Sequence, residues 1–486
     1  MLFNSLSFLV FLPIVFLLYW FIARTTKNQN PLLLLASYFF YACWDWRFLF
    51  LLMFSTLLDY YTGIKIGENE NKQRRKFWFW LSIIINLGFL GVFKYYNFFA
   101  ESFEELLSLF GWKVDPLLIN IILPVGISFY TFHGMSYVID IYNKKIKSEK
   151  NVVDYALFVS FFPLLVAGPI ERATHLLPQI KAKREFNYSK SVDGLRQILW
   201  GLFKKIVIAD NCAQFANQIF DNYTEVSGSS LVFGAVFFTF QIYGDFSGYS
   251  DIASGVARLF GFELLKNFSF PYFSRDIAEF WRRWHISLSS WFKDYLYIPL
   301  GGSKGGTWLK VRNTFIIFLV SGFWHGANWT FIAWGFLNAL FILPSIIFQT
   351  NRNNMEIVAK GSRIPTVREL IQMLGTFILV VFAWIFFRSV SINDAFGFIS
   401  GIFNRSLFSF PYVLEEVTGL HIFPTKFILL LIMFILIEWL GREDVFAIEK
   451  FGIKWTRWKR MLFYYSLLLL IFIMAGKEQQ FIYFQF

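Results

Sequence analysis

Residues 315–348 read "FIIFLVSGFWHGANWTFIAWGFLNALFILPSIIF", an apolar stretch whose one ionisable side chain belongs to His325. About 20 predominantly apolar residues in a helix are enough to cross the hydrocarbon core of a bilayer. The stretch is long enough to span a membrane, and ionisable residues inside such segments usually face the interior of a helix bundle. It therefore predicts a membrane segment that carries a histidine shielded from lipid.

Apolar runs of similar length recur along the whole sequence. Hydrophobic residues make up 56% of the chain and charged residues only 16%, and the mean hydropathy is +0.50. Globular domains carry about 25% charged residues, so a water-soluble fold would have too little polar surface for this chain. The runs cover residues 6–23, 77–93, 117–139, 377–387, 427–440 and 461–475. They predict an all-α, polytopic membrane protein.

The net charge of +12 is concentrated in short loops between the apolar runs. The clearest examples are residues 65–76, 143–150 and 181–190. Loop lysines and arginines set topology and contact anionic lipid headgroups, so this pattern does not predict a nucleic-acid partner. No Lys or Arg precedes the first apolar run, which predicts a retained helix and not a cleaved signal peptide. Cys43 and Cys212 are predicted to be buried thiols with no disulfide or metal role.

Two segments contain residues that are expected to interrupt membrane helices. Residues 152–185 include three prolines, and residues 241–255 combine glycines and serines with Asp245 and Asp251. Proline breaks helices, and irregular backbone at membrane depth is tolerated only where protein or a water-filled cavity surrounds it. Both segments are predicted to be re-entrant or kinked and to line a cavity. Residues 351–369, the least apolar long stretch, are predicted to be a connecting loop.

Residues 271–301 predict an amphipathic helix with Ser274 as its N-cap. One face holds Phe280, Trp281, Trp284, Leu288, Trp291, Phe292 and Tyr295. The other face holds Glu279, Arg282, Arg283, Ser289, Ser290, Lys293 and Asp294. Such a helix lies in the membrane interface or covers an internal cavity. The spacing places His285 near the aromatic face, pointing away from bulk water.

His325 is the strongest candidate for chemistry among the five histidines. Gly322 and Gly326 surround it with the spacing G-x-x-x-G, which indicates either close helix packing or room for a ligand beside the imidazole. Asn328, three residues further on, is expected to share its helical face and to orient the ring. A neutral imidazole in apolar surroundings suits a general base that takes a proton from an alcohol. No metal motif is present in the sequence, and His133, His175 and His421 are expected to be structural or interfacial.

Two motifs together resemble the paired signature of the membrane-bound O-acyltransferase family. They are "FWRRWHISLSSWFKDYLYIPLGG" (280–302) and "SGFWHGANWTFIAWG" (321–335). The nearest subgroup comprises the bacterial alginate and other polysaccharide O-acetyltransferases, and the D-alanyl transferases of teichoic acid are more distant. Further stretches that resemble the alginate branch are residues 1–20, 123–132, 167–172, 245–253 and 479–486.

The resemblance implies roles for individual residues. His325 corresponds to the essential histidine of the family, in a tunnel between cytoplasm and exterior, and His285 corresponds to the second histidine of the bacterial subgroup. The side chains expected to line the passage or bind substrate are Trp281, Trp284, Trp324, Asn328, Asp245 and Asp251. Arg282 and Arg283 are expected to contact the acyl donor.

The apolar runs and the family resemblance together imply a fold with about 11 transmembrane helices around a central tunnel. Re-entrant and interfacial helices are expected in addition. Residues 1–486 are expected to form a single membrane-embedded domain. Its family-like core covers about 95–350 and extra helices cover about 370–486.

The function implied is transfer of an acetyl group from a cytoplasmic thioester to a hydroxyl outside the cytoplasm. The donor is expected to be acetyl-CoA or a carrier thioester, with no tightly bound cofactor and no metal. The acceptor is a polysaccharide or a partner protein that relays the acetyl group, and the location is the cytoplasmic (inner) membrane, among lipids. Direct transfer and an acetyl-His325 intermediate both remain open.

Two alternatives to this function stay open. A D-alanyl or other short acyl group could be transferred to teichoic acid from a carrier-protein thioester. A transporter or flippase for a lipid-linked sugar is the alternative from another class, although such transporters usually show repeated halves and this sequence shows none.

Overall fold

The computed structural model describes residues 1–119, 122–166, 168–414, 421–476, 479 and 481–482. Two compact units divide the chain. The first comprises Met1–Val192 with Val256–Leu265, and the second comprises Asp193–Gly255 with Lys266–Phe486. Both units are built from helices, as the apolar runs predict.

The first unit is organised around one long helix that packs against its neighbours. Its helices are α1 (Leu6–Leu17), α2 (Thr26–Glu68), α3 (Lys72–Leu90), α4 (Tyr96–Leu109), α5 (Ile127–Tyr142), α6 (Val152–Ser160) and α7 (Ala173–Lys181). Single π-helical turns extend α1 at Leu18–Ile22 and α3 at Gly91–Tyr95. Helix α2 contacts α3, α5 and α6, and it kinks at Asp45, whose φ and ψ are −156° and 111°.

The second unit holds the rest of the helices. They are most of α8 (Tyr188–Leu202), α9 (Asp210–Asp221), most of α10 (Gly228–Leu259), α11 (Ile277–Arg283), α12 (Ile286–Phe292), α13 (Gly306–His325), α14 (Trp329–Ile347), α15 (Val367–Arg388), α16 (Ile392–Ile402), α17 (Thr425–Leu440) and α18 (Arg457–Met474). Shorter elements are the π-helical turns Phe203–Ala209 and Lys293–Tyr297 and the 3₁₀ turns Pro271–Phe273 and Arg405–Phe408. A two-residue antiparallel pair joins β1 (Val413–Leu414) to β2 (His421–Ile422), a small departure from the all-α prediction.

Four helical segments within the described ranges are long and apolar enough to cross a membrane. They are Thr26–Glu68, Lys72–Leu109, Trp329–Ile347 and Val367–Arg388, and the shorter apolar helix Leu6–Ile22 precedes them. The expected number of about 11 transmembrane helices stays a prediction. Several apolar runs form helices that are shorter than the run, or helices that are not apolar enough to be counted as spans.

Helix α15 shows the surface expected of a segment in lipid. Ile371 and Ile378 each expose 65% of their surface, whereas Trp384 and Phe387 on the same helix are buried. Large apolar side chains that remain exposed along a helix of this length are stable in hydrocarbon and costly in water. The chain therefore belongs in a membrane, with several apolar helices.

Several local predictions are corrected by the structure. Among the described residues of the run 117–139, the helix begins at Ile127, because Pro124 cannot donate a backbone hydrogen bond and Gly126 adopts a left-handed φ of 75°. Cys43 is exposed, contrary to the prediction that both thiols are buried. It lies just before the kink of α2, where few neighbours cover the helix.

The predicted interruption within 152–185 is confirmed. Helix α6 ends at Ser160 and α7 begins only at Ala173. The predicted connecting loop is also confirmed over most of its length, since α15 starts at Val367 with Thr366 and Glu369 forming a capping box.

Candidate active site

The stretch that contains His325 is a helical hairpin and not one continuous span. Helix α13 ends at His325 and α14 begins at Trp329. Asn328 is the N-cap of α14, where its side chain accepts a hydrogen bond from the Thr330 N–H (2.9 Å) and donates one to the Val390 carbonyl (2.9 Å). The prediction that Asn328 shares the helical face of His325 and orients its ring is therefore wrong. A helix that stops at residue 325 has no i+3 position.

The glycines around His325 bring the two helices of the hairpin into contact. A Cβ atom on Gly322 would lie 2.2 Å from the Phe331 carbonyl oxygen, and one on Gly335 would lie 2.3 Å from the Phe318 carbonyl oxygen. A Cβ on Gly326 would lie 2.1 Å from the Phe331 ring. Of the two interpretations of the glycine spacing, close packing is correct. The idea that these glycines leave room for a ligand is wrong, because Phe331 and the facing backbone occupy that space.

Aromatic rings surround the imidazole of His325. Its ring centre lies 4.9 Å from that of Trp324, 5.1 Å from that of Trp334 and 5.3 Å from that of Phe387, all in edge-on arrangements. The residue is only 4% exposed. Little water reaches such a site, and a polar reaction there depends on the few polar groups that the protein supplies.

His285 occupies a break between two short helices. Helix α11 ends at Arg283 and α12 begins at Ile286, and His285 between them has a left-handed φ of 42°. The single helix predicted over this region is wrong, and so is its predicted N-cap, because Asp276 caps α11 by accepting from the Glu279 N–H (2.7 Å). A left-handed conformation is uncommon for a residue with a side chain and persists only where neighbours hold it.

Asn267 is the neighbour that holds His285. Its backbone carbonyl accepts from the Ile286 N–H (2.9 Å), and its side-chain oxygen accepts from His285 Nδ1 (2.8 Å) and from the Ser287 hydroxyl (2.9 Å). Its side-chain nitrogen donates to the Ser250 hydroxyl (3.0 Å). Since an amide oxygen only accepts, Nδ1 carries the proton and Nε2 of the neutral ring is the basic atom.

The two histidines contact the same indole. The Trp324 ring centre lies 6.1 Å from that of His285 and 4.9 Å from that of His325. The structure thus brings together two side chains that are 40 positions apart in the printed sequence. The other two tryptophans expected near the passage pack in the core: Trp281 donates to Asn338 (3.3 Å) and Trp284 is 1% exposed.

Asp245 and Asp251 lie on a continuous helix, and each forms an ion pair with a buried lysine. The predicted interruption at 241–255 is wrong, because α10 runs unbroken through it. Its glycines permit helix contact, as shown by Gly248, where a Cβ would lie 2.8 Å from the Gly201 carbonyl oxygen. Asp245 pairs with Lys205 (2.8 Å) and Asp251 with Lys204 (2.6 Å).

These lysines were missed at the sequence level, where the clearest clusters of cations were assigned to loops. Lys204 and Lys205 lie in the π-helical turn Phe203–Ala209 and are 3% and 5% exposed. The signal that could have found them is a pair of cations inside the apolar stretch that follows Trp200. Asn267, Trp334 and Phe387 were also missed, because single polar or aromatic residues in apolar stretches are usually core.

The two arginines expected to contact the donor bind protein groups. Arg282 donates to the carbonyl oxygens of Asn351 (2.7 Å) and Asn354 (2.8 Å). Arg283 pairs with Glu279 (2.7 Å). In this structure both guanidinium groups hold α11 and the loop that precedes α15.

The remaining histidines make local contacts or lie outside the described side chains. In the first unit, His133 Nε2 accepts from the Glu171 N–H (3.0 Å) and His175 Nδ1 bonds Glu171 Oε2 (2.8 Å). Hydrogen bonding to Glu171 raises the pKa of His175 above its usual value. The side chain of His421 is outside the described part of the chain.

Comparison with known proteins places this geometry in a family. The model of the membrane-bound O-acyltransferase family matches residues 143–387, which include both histidines and Trp324. The probable alginate O-acetylase of Pseudomonas putida is 35% identical over 513 aligned positions that cover all of both chains. The probable alginate O-acetylase of Pseudomonas aeruginosa is 39% identical over 406, covering 83% of this chain and 75% of the relative.

A relative with a different printed substrate shows similar identity. The peptidoglycan O-acetyltransferase of Helicobacter pylori is 37% identical over 448 positions, which cover 86% of this chain and 82% of the relative. The paired histidine motifs, the helical membrane architecture and these full-length similarities agree. The chain belongs to the membrane-bound O-acyltransferase family.

Proposed function

We propose that this protein transfers an acetyl group from a thioester donor in the cytoplasm to hydroxyl groups of a polysaccharide outside it, in the cytoplasmic membrane. The observation that carries the proposal is the placement of His325 and His285 against the single indole of Trp324, in buried surroundings. Full-length similarity to proteins named for O-acetylation of alginate or peptidoglycan supports acetyl as the group and polysaccharide as the acceptor class.

In the proposed reaction His325 acts as the general base. Its imidazole takes the proton of the acceptor hydroxyl while the hydroxyl oxygen attacks the thioester carbonyl. A new carbon–oxygen bond forms, the carbon–sulfur bond breaks, and the proton passes to the departing thiolate. Enclosure by Trp324, Trp334 and Phe387 supports this role, because it excludes the water that would hydrolyse the thioester.

The hydrogen bond to Asn267 supports a proton-accepting role for His285. With Nδ1 donating to Asn267, the basic atom of the neutral ring is Nε2, which accepts a proton and does not donate one. Relay of a proton through Nε2 therefore fits His285 better than polarisation of the thioester carbonyl, which needs a donated hydrogen bond. Access of donor and acceptor through a tunnel from opposite sides of the membrane remains part of the proposal.

The donor and acceptor are proposed at the level of chemical class. We infer acetyl-CoA as donor and either a sugar hydroxyl or a serine of a partner protein outside the cytoplasm as the first acceptor.

The test is an assay with purified full-length protein in detergent, supplied with labelled acetyl-CoA and polysaccharide. Transfer of label without any carrier protein supports the proposal. Transfer that requires an aminoacylated carrier protein would instead indicate the D-alanyl reaction. A transporter has no barrier across which to act in detergent, so absence of turnover in a folded preparation would contradict an enzyme function.

A further inference from the structure

Three described residues near the end of the printed sequence, Gln479, Phe481 and Ile482, are attached to buried charges of the second unit. We call them the anchored segment. The Ile482 N–H donates to Asp245 Oδ2 (2.7 Å), and Lys205 Nζ donates to the Gln479 carbonyl oxygen (3.3 Å). Asp245 and Lys205 are 2% and 5% exposed. The backbone of the segment therefore joins a buried ion pair.

A buried ion pair is stable only when its remaining hydrogen-bonding capacity is used. Lys205 has two carboxylate partners, Asp245 (2.8 Å) and Asp210 (2.9 Å), and Asp245 keeps an oxygen for a further donor. The Ile482 N–H fills that place. Without the anchored segment, Asp245 Oδ2 would lose the hydrogen bond from the Ile482 N–H. This bond is a physical reason for the backbone of the segment to lie against the ion pair.

Phe481 turns this attachment into a contact with the reaction site. Its side chain is 1% exposed, and its ring centre lies 4.9 Å from that of Tyr249 and 6.4 Å from that of Phe246. The Phe246 ring in turn lies edge-on to the imidazole of His285, with centres 4.6 Å apart and planes at 89°. Phe246 follows Asp245 on α10, so the anchor and the ring contact are adjacent on one helix.

We propose that the anchored segment is a positioning element for His285, with Phe481 holding Phe246 against the imidazole. This inference rests on the proposed function. Asn267 fixes one atom of the imidazole, Nδ1, and the position of the ring atoms further from that bond depends on the ring contacts, because rocking of the ring about Nδ1 would displace them. The edge of Phe246 limits that motion, and Phe481 fills the space into which Phe246 would otherwise move.

The test compares Phe481→Ala with Phe481→Leu and a matched control in the full-length protein. Removing the ring opens space behind Phe246, and a misoriented catalytic group costs up to about hundredfold. We expect Phe481→Ala to lower kcat about ten- to hundredfold with KM for acetyl-CoA unchanged, and Phe481→Leu to restore most of the loss. Phe398, also 1% exposed, packs on the rings of Phe220 (4.3 Å) and Tyr223 (6.3 Å). Phe398→Ala should lower the thermal midpoint while kcat stays at the wild-type value.

A double-mutant cycle checks the route through Phe246. If Phe481 acts through that ring, Phe481→Ala should have little further effect on kcat when Phe246 is already Ala. Wild-type kcat in Phe481→Ala, or losses that multiply in the double variant, would overturn the proposal. If Phe481→Ala does not fold, Phe481→Val, which also leaves space behind Phe246, takes its place with the same expected loss of kcat. Transfer that depends on His325 but not on Phe481 would refute this inference alone, whereas no transfer by wild type would refute the proposed function.

Discussion

At the scale of single residues, the side-chain oxygen of Asn267 holds His285 Nδ1 by a hydrogen bond of 2.8 Å. It selects the tautomer in which Nε2 is basic. The same amide bonds Ser287 and Ser250, so Asn267 is itself held in place. In metal sites, a side chain that orients an imidazole by a hydrogen bond contributes about 10- to 100-fold to activity, and we expect an effect of similar size here.

Asn267→Ala should therefore lower kcat by about 10- to 100-fold while leaving the protein folded. Asn267→Asp keeps an acceptor for Nδ1, but its carboxylate favours the imidazolium, so the rise of activity with pH should move to higher pH. The measurement is the pH–rate profile of both variants beside wild type. A wild-type profile in Asn267→Ala would show that the bond has no part in the reaction.

The sequence could indicate the two histidines but not their surroundings. His325 stood out because an ionisable side chain in an apolar run is costly, and His285 because of its motif. Asn267 gave no comparable signal, since its role depends on three hydrogen bonds to residues distant in sequence or across a helix break. Asn328 was misassigned because helical spacing was extended past the end of α13.

At the scale of elements, glycine decides how closely α13 and α14 approach. Gly322→Ala would place a Cβ 2.2 Å from the Phe331 carbonyl oxygen, which forces the helices apart. We expect a loss of about 1–3 kcal/mol in the free energy of unfolding, because overpacking exceeds the gain of roughly 0.5–1 kcal/mol from replacing a helical glycine. Gly375 on α15 has open space around it, so Gly375→Ala is the matched control.

The check is the thermal midpoint of the two alanine variants in the same detergent. Gly322→Ala should melt below wild type and Gly375→Ala at or above it. Equal midpoints for the two variants would mean that α13 and α14 have room for the added methyl group. The interpretation that Gly322 is needed for close packing would then be wrong.

The contact between His175 of α7 and Glu171 predicts a pH dependence of stability. The hydrogen bond to Glu171 raises the pKa of His175 in the folded protein. A raised pKa gives stabilisation that is fully present below the unfolded pKa and is lost as pH rises through the folded one. The thermal midpoint of the wild-type protein should therefore fall between slightly acidic and slightly alkaline pH. In His175→Gln the part of this fall that is due to His175 should be absent. Identical pH dependence in the two proteins would exclude the contribution.

Helix breaks were the least predictable elements. Aromatic residues continue at helical spacing through His285, yet the chain adopts φ 42° there. The glycines and serines of 241–255 indicated a break, yet α10 continues because its small residues face other backbone. In both places contacts with residues distant in sequence decide whether the helix continues or breaks. The spacing of apolar residues along the sequence carries no information about those contacts.

At the scale of the whole molecule, apolar composition and loop charge were enough to predict a helical membrane protein. The paired histidine motifs then indicated the family, which the family model and the full-length similarities confirm. The number of transmembrane helices was harder to predict from the sequence. An apolar run can form a short buried helix or a helical hairpin as readily as a single transmembrane helix. Residues 315–348 show this most clearly.

The most direct measurement of the central claim is acetyl transfer by the His325→Ala protein, assayed beside wild type with labelled acetyl-CoA and polysaccharide in detergent. His175→Gln serves as the matched control, because His175 belongs to the first unit, where its ring bonds Glu171. The account predicts that His325→Ala stays folded in the membrane and transfers no label above background, while His175→Gln transfers at the wild-type rate. Wild-type acetylation by His325→Ala would contradict the account.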